Sequence, residues 1–168
     1  MDIPRDPLSR FYTKPAVARF CLDVLELTHP LHSFDLIVEP SAGDGAFADL
    51  IDPHENNVTC LDLDPDTRWG SGSGVDFLEW WPKPHFERIL TLGNPPFGDD
   101  LTDAKLFVMR AGRFSRVVAF ILPRGMVDMW TFPLLRVESV HHLPFDSFTL
   151  RGETVEVATS FVIYEKFF

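Results

Sequence analysis

The chain has 168 residues, 45% hydrophobic, 13% aromatic and 24% charged, a composition that suits one packed domain and excludes a disordered polypeptide. Its 15 Lys and Arg are outnumbered by 25 Asp and Glu, for a net charge of −10. That balance excludes a stand-alone basic grip on nucleic acid, whose affinity comes mostly from cations meeting phosphate.

Residues 1–13 read as an irregular N-terminal arm containing Pro4 and Pro7, with no apolar core of a signal peptide. From Pro15 the pattern turns helical, with Val17, Phe20, Cys21, Val24, Leu25 and Leu27 on one stripe, Thr13 as N-cap and Pro30 beyond the end. Asp35–Glu39 is a short buried strand, followed by the turn Pro40-Ser41-Ala42-Gly43-Asp44-Gly45 and a helix over Ala46–Ile51. Val58–Leu63 is a second strand and Arg88–Leu92 a third, the latter running into Gly93-Asn94-Pro95-Pro96-Phe97. A helix over Leu101–Arg113 leads to the apolar strand Val117–Leu122. Val137–Leu143 and Val157–Tyr164 are the last two strands, with too little helix between them for a crossover.

Strands alternating with helices predict an α/β fold, a doubly wound, three-layer sandwich around a mostly parallel sheet with an antiparallel edge hairpin. Cys21 and Cys60 are far apart without metal-ligand spacing, so neither a disulfide nor a metal site is expected. Two unpaired thiols suit a reducing compartment, cytoplasmic or nuclear. No apolar run approaches the roughly 18 residues of a membrane span, so no membrane partner is expected.

Gly43-Asp44-Gly45-Ala46-Phe47-Ala48 fits G-x-G-x-x-G/A between a predicted strand and helix. Glycine lets the backbone approach a ligand, and a helix N-terminus offers free N–H groups. Asp62 closes the next strand, where a carboxylate can accept both hydroxyls of a ribose. Together these point to a nucleoside-containing cofactor; a nicotinamide dinucleotide and S-adenosylmethionine both fit. A tight turn without ligand is the competing reading.

Asn94-Pro95-Pro96-Phe97 sits at the carboxyl edge of the sheet, where open α/β folds bind ligands. Two prolines remove two N–H donors and stiffen the bend, which leaves carbonyls presented as acceptors. The Asn94 side chain adds another carbonyl oxygen and Phe97 a flat apolar face. This is a receptor for a planar amine. Accepting both amine hydrogens draws the nitrogen lone pair out of conjugation and aims it at an electrophile, so the work is positioning and polarisation.

At these residues the chain resembles the class I S-adenosylmethionine-dependent amino-methyltransferases, specifically the N6-adenine group with Asn-Pro-Pro-Phe or Tyr. Phe11-Tyr12-Thr13-Lys14-Pro15 resembles the family's methionine-binding segment, Glu39 to Gly45 its cofactor loop, Asp62 its ribose acid, Asp76-Phe77 its adenine-binding pair and Asn94 to Phe97 its catalytic loop. Their order is that of the gamma-type adenine methylases. The resemblance implies a Rossmann-like seven-stranded sheet, S-adenosylmethionine as cofactor, and methyl transfer to the N6 of adenine in DNA or RNA. It further implies that Asn94 and the Pro95 carbonyl, with Pro96 beside them, hold the amine while Phe97 stacks on the base. Gly43 and Gly45, with Pro40, Ser41 and Ala42, would lie under the cofactor, and Glu39 near its amino-acid end. Asp62 would bind the ribose, Asp76 the adenine amino group, Phe77 the adenine ring, and Tyr12 and Thr13 the methionine part. For Tyr12, an ordinary aromatic at the start of a helix competes.

The pattern departs from duplex-acting members in two ways. The 71 residues after Phe97 leave no room for a target-recognition domain, so residues 1–168 read as one catalytic domain. Asp99, Asp100 and Asp103 make the loop after the motif acidic. The substrate is therefore expected to be single-stranded nucleic acid, or nucleic acid presented by a partner protein that supplies recognition. Arg124 is the cation best placed for a substrate; Arg110, Arg113 and Arg116 are explained as well by helix-end charge compensation. His141 and His142 should alternate between core and solvent, and Trp80-Trp81 read as packing or an edge patch. Two other functions fit: methylation of a protein glutamine amide or a guanine amino group, and an inactive cofactor-binding subunit.

Overall fold

A computed structural model describes residues 11–168, so positions 1–10 of the expected arm lie outside the described residues. In chain order the elements are β1 (Tyr12–Thr13), α1 (Pro15–Glu26), β2 (Leu36–Glu39), β3 (Val58–Cys60), β4 (Ile89–Gly93), α2 (Thr102–Phe114), β5 (Val117–Pro123), α3 (Met126–Met129), β6 (Leu135–His142), β7 (Phe148–Leu150), β8 (Glu153–Val155) and β9 (Thr159–Lys166). A six-stranded sheet runs β3-β2-β4-β5-β9-β6. Pairing is parallel from β3 to β5, and antiparallel from β5 to β9 and from β9 to β6.

Every residue of β2 and β4 is buried, as are the first six of β5, which explains their continuous apolar runs. The antiparallel edge pair is present as expected. The sheet is mixed, however, and six-stranded rather than seven. A single parallel bridge between Asp62 and Ser73 stands outside β3. The neighbouring Gly70-Ser71-Gly72-Ser73-Gly74 segment has no β-branched or apolar side chain to pack on a pleat, so pairing does not extend beyond that bridge.

The helical layers are thinner than the pattern predicts. Of the connections between the parallel strands, only the one from β4 to β5 carries a full helix, α2. The helix expected over Ala46–Ile51 is a 3-10 turn, Ala48–Leu50. Pro53 biases Asp52 away from helical geometry, and the Asp52 carboxylate accepts the His54 N–H at 2.8 Å, which closes a local turn. What remains is too short to repay helix nucleation.

Two local expectations for α1 also change. Its buried stripe is Ala18, Cys21, Leu22 and Leu25, whereas Phe20 is 44% and Leu27 83% exposed. Lys14, not Thr13, is the N-cap, without a side-chain cap bond.

The segment between β6 and β9 forms a second sheet, β1-β7-β8. Arg151 and Gly152, both at positive φ, form the two-residue turn between β7 and β8. β7 pairs with β1 through Thr13↔Phe148, and the Lys14 N–H donates to Ser147 O at 3.0 Å. Phe148 is fully buried. The N-terminal segment is thereby pinned beside the carboxyl ends of β2 and β4.

Gly72 shows how tightly the sheet margin closes, because a Cβ there would lie 1.8 Å from the Cys60 carbonyl oxygen. Gly72→Ala should lower stability by about 1–3 kcal/mol or more through overpacking against backbone. Exposed Ser71→Ala should stay within about 0.5 kcal/mol. Urea unfolding followed by circular dichroism compares the two.

Candidate active site

A cleft of about 260 Å³ opens at the carboxyl ends of β2, β3 and β4. Strand order reverses direction between β2 and β4, the place where open α/β sheets bind ligands. Pro40, Ser41 and Gly43 enter the lining from the turn after β2, Asp62 from the end of β3, and Asn94, Pro95 and Pro96 from the bend after β4. Tyr12, Asp76 and Phe77 also line it. Ten of the residues singled out in the sequence therefore share one cavity.

The Asn94 amide is held by β1 and the residue before it. Its Nδ2 donates to the Phe11 carbonyl at 2.9 Å and to Thr13 Oγ1 at 3.2 Å. Its Oδ1 is buried with no hydrogen-bond partner among the described residues. Ser41 Oγ donates to the Asn94 backbone carbonyl at 2.9 Å and so ties the two ligand-facing loops together. The Asp62 carboxylate accepts the Gly43 N–H at 2.8 Å and the Asp64 N–H at 2.9 Å. Each of its oxygens keeps further acceptor capacity. The Tyr12 ring lies over Gly43, where a Cβ would come within 3.4 Å of Cε1.

Five of the singled-out residues stand outside the lining. Thr13 is buried with its hydroxyl on Asn94. Ala42 is buried, and its N–H bonds the Leu61 carbonyl. Gly45 faces Arg68 and Trp69, whose atoms would lie 2.0 and 2.9 Å from a Cβ there. Phe97 is 3% exposed, its ring 5.8 Å from that of Phe11, so its face is turned to the core. Glu39 is fully buried at the end of β2, and burial raises its carboxyl well above the ordinary value. Its Oε2 has no partner among the described residues.

Other lining residues had been given no role in the site, although Phe11 and Asp103 lie in segments already named. Phe11, Leu63, Val75, Leu78, Asp103 and Phe107 complete the lining. Asp103 and Phe107 lie four apart on α2, a spacing that could have placed both on the face toward the Asn94–Pro96 bend. Arg68 and Trp69 buttress the glycine loop: Arg68 Nη2 donates to the Asp44 carbonyl at 2.8 Å and to both Asp49 oxygens, and Trp69 Nε1 donates to the Gly43 carbonyl at 3.2 Å. They do the work of the missing helix, and no periodic signal marks them.

Arg124, the cation named as a substrate candidate, is engaged elsewhere, and the His141-His142 and Trp80-Trp81 pairs make local contacts. Arg124 donates to the carbonyls of Leu143 and Thr159. His141 is half-buried and His142 exposed; each contacts a serine hydroxyl. Trp80 is half-buried, and the exposed Trp81 ring carries the Arg110 guanidinium 4.2 Å from its centroid. The cleft and the neighbouring depression over Asp44, Asp64 and Asp66 are lined by aspartates and by no Lys or Arg among the described residues. Among those residues no group of three His, Cys, Asp or Glu is placed to hold a metal ion, and no helix is long and apolar enough to cross a membrane.

No protein-family model and no curated protein matches the sequence. Solved structures do match. The Pyrococcus horikoshii protein PH1948, named as a "putative RNA methyltransferase", superposes with a TM-score of 0.72 at 15% identity, over 98% of this chain and 90% of that one. This is a Rossmann-like methyltransferase fold. A Thermoplasma acidophilum protein gives 0.63 at 16% identity, over 90% and 89% of the two chains. The N-methyltransferase NodS of Bradyrhizobium japonicum, in complex with S-adenosyl-L-homocysteine, gives 0.59 at 13% identity, over 89% and 87%. In this methyltransferase fold the cleft occupies the sheet edge at which Asn94 and Asp62 converge.

Glu39 predicts a pH signature. Its folded-state pKa lies above that of the unfolded chain, so above the ordinary carboxylate range, about 4.3, the unfolded state holds fewer protons and stability falls as pH rises. Glu39→Gln should remove that decline and gain stability relative to the native chain toward neutral pH. Thermal melts from pH 4 to 8 measure the difference in slope.

Proposed function

We propose that the chain is an S-adenosylmethionine-dependent methyltransferase acting on a planar exocyclic nitrogen, the N6 of adenine in DNA or RNA. The observation that carries this reading is the Asn94 amide oxygen, buried and without a partner among the described residues, on a proline-stiffened bend in the same cleft as Asp62. A buried acceptor left unmatched is costly, and an amine hydrogen supplies what it lacks.

The donor set also suits the cofactor. Asp62 would accept the ribose hydroxyls, Val75, backed by the buried Phe77, would offer apolar surface for an adenine ring with Asp76 beside them, and Gly43 leaves room next to Tyr12. When bound, S-adenosylmethionine supplies a methyl carbon made electrophilic by its sulfonium. Asn94 Oδ1 and the Pro95 carbonyl would accept the two amine hydrogens and localise the nitrogen lone pair for in-line attack. The amine proton would pass to water once the methyl group has moved to nitrogen and the sulfonium has departed as a neutral thioether, so no strongly shifted base would be required. The NodS structure bound to S-adenosyl-L-homocysteine supports the cofactor, and the name of the P. horikoshii protein supports a nucleic-acid substrate.

The acid-lined mouth favours one second reading. Without a cation among the described lining residues, the cleft suits an amide in a basic polypeptide better than a phosphate-rich duplex. Within the adenine reading, the same charge favours single-stranded substrate, or substrate presented by a partner protein.

Titration calorimetry with S-adenosylmethionine should give saturable heat; no heat from folded protein rejects both readings. Labelled cofactor incubated with separate DNA, RNA and protein pools should label nucleic acid, and Asn94→Ala should abolish transfer while circular dichroism stays unchanged. Label in protein alone rejects adenine. Asp62→Ala should weaken cofactor binding by about 1–3 kcal/mol, the cost of leaving polar groups unmet.

A further inference from the structure

A carboxamide can sit in its pocket two ways, with oxygen and nitrogen exchanged, and the choice decides whether it accepts or donates toward a ligand. At Asn94 the neighbours make the choice. The Phe11 carbonyl can only accept, so the group facing it at 2.9 Å must be the NH2. The other hydrogen runs to Thr13 Oγ1 at 3.2 Å. Turning the amide over would set its oxygen against the Phe11 carbonyl, two acceptors with no proton between them.

Thr13 is 6% exposed and cannot swing away, because β1 is paired to β7 at Thr13↔Phe148 and its following residue bonds Ser147. Both Asn94 hydrogens are thus committed to the N-terminal segment, and among the described residues the amide oxygen is left unmatched. We propose that Thr13 is a positioning residue: with the Phe11 carbonyl it locks the Asn94 amide in the accepting orientation and so sets the site to receive an NH2 rather than a carbonyl. The proposal deepens the methyl-transfer reading and rests on it for its catalytic consequence. It departs from the family resemblance, which assigns Thr13 to the methionine end of the cofactor.

The test uses the full chain labelled with nitrogen-15 and follows the Asn94 side-chain NH2 pair, assigned by its disappearance in Asn94→Asp. In the wild type these hydrogens should exchange at least about tenfold more slowly than those of the exposed Asn57, as expected for hydrogen-bonded, buried donors. Thr13→Val removes the acceptor and should speed exchange about tenfold, the equivalent of one lost hydrogen bond. Thr13→Ser keeps the hydroxyl and should restore the slow rate. For whichever polymer the wild type labels, kcat should fall about tenfold in Thr13→Val and recover in Thr13→Ser, with S-adenosylmethionine affinity unchanged in both.

Exchange at Asn94 as fast as at Asn57 in the wild type overturns the proposal. So does a Thr13→Val chain with native exchange, and so does weakened cofactor binding with the Asn94 signals unmoved, which makes Thr13 a cofactor contact. Should Thr13→Val not fold, the wild-type rate and Thr13→Ser decide the matter. A wild type that labels no polymer rejects the methyl-transfer reading, and the exchange data still judge the lock.

Discussion

The arrangement of the cleft depends on one side-chain amide whose hydrogens are both used up. Asn94 stands at the end of a strand that is buried along its whole length, and its NH2 is spent on a segment eighty residues earlier in the chain. The consequence is chemical polarity. A free asparagine presents a donor or an acceptor as the ligand demands, whereas this one keeps only the oxygen. Pro95 and Pro96 extend the same bias, because neither can donate from its backbone. Under the proposed reading this bend would offer acceptors, and the ligand that answers it would carry hydrogens.

Holding that polarity requires structure well away from Asn94. β1 has two residues and no helical or core-strand strength of its own; it stays in place through β7, whose Phe148 is buried at the centre of the second sheet. On the other side of the cleft, Ser41 grips the Asn94 carbonyl, and Arg68 and Trp69 clamp the glycine loop by its own carbonyls. These are polar ties between loops, substitutes for the helix that the region after β2 lacks. Rigid loops at the end of buried parallel strands would suit the proposed reading, in which positioning and not acid–base chemistry does the work.

Charge sets a further constraint. The mouth of the cleft carries aspartates on both flanks, so phosphates approaching it directly would meet repulsion. Under the proposed reading, an acceptor-rich centre inside an acidic rim would disfavour polyanions delivered as a rigid duplex. It is compatible with an unpaired base extended into the cleft, and with an amide on a basic chain.

Much of this was legible in the sequence. The apolar runs of β2, β4 and β5, the antiparallel closing strands, the glycine turn, Asp62 and the Asn94–Pro96 bend announce themselves through local chemistry: continuous burial, missing donors, and glycine where backbone must come close. Those signals are properties of a few adjacent residues, so local chemistry alone was enough to put a cleft at the carboxyl edge of an α/β sheet and to name ten of its lining residues. The partners of each group were not legible. Thr13 reads as a helix cap until β7 draws it toward Asn94, Phe97 reads as an open face until Phe11 covers it, and Gly45 reads as a cofactor floor until Arg68 and Trp69 fill the space above it. Each of those outcomes depends on pairing between positions about twenty to more than a hundred residues apart, where local propensity carries no information, and tertiary packing alone decides which hydrogen bond is made.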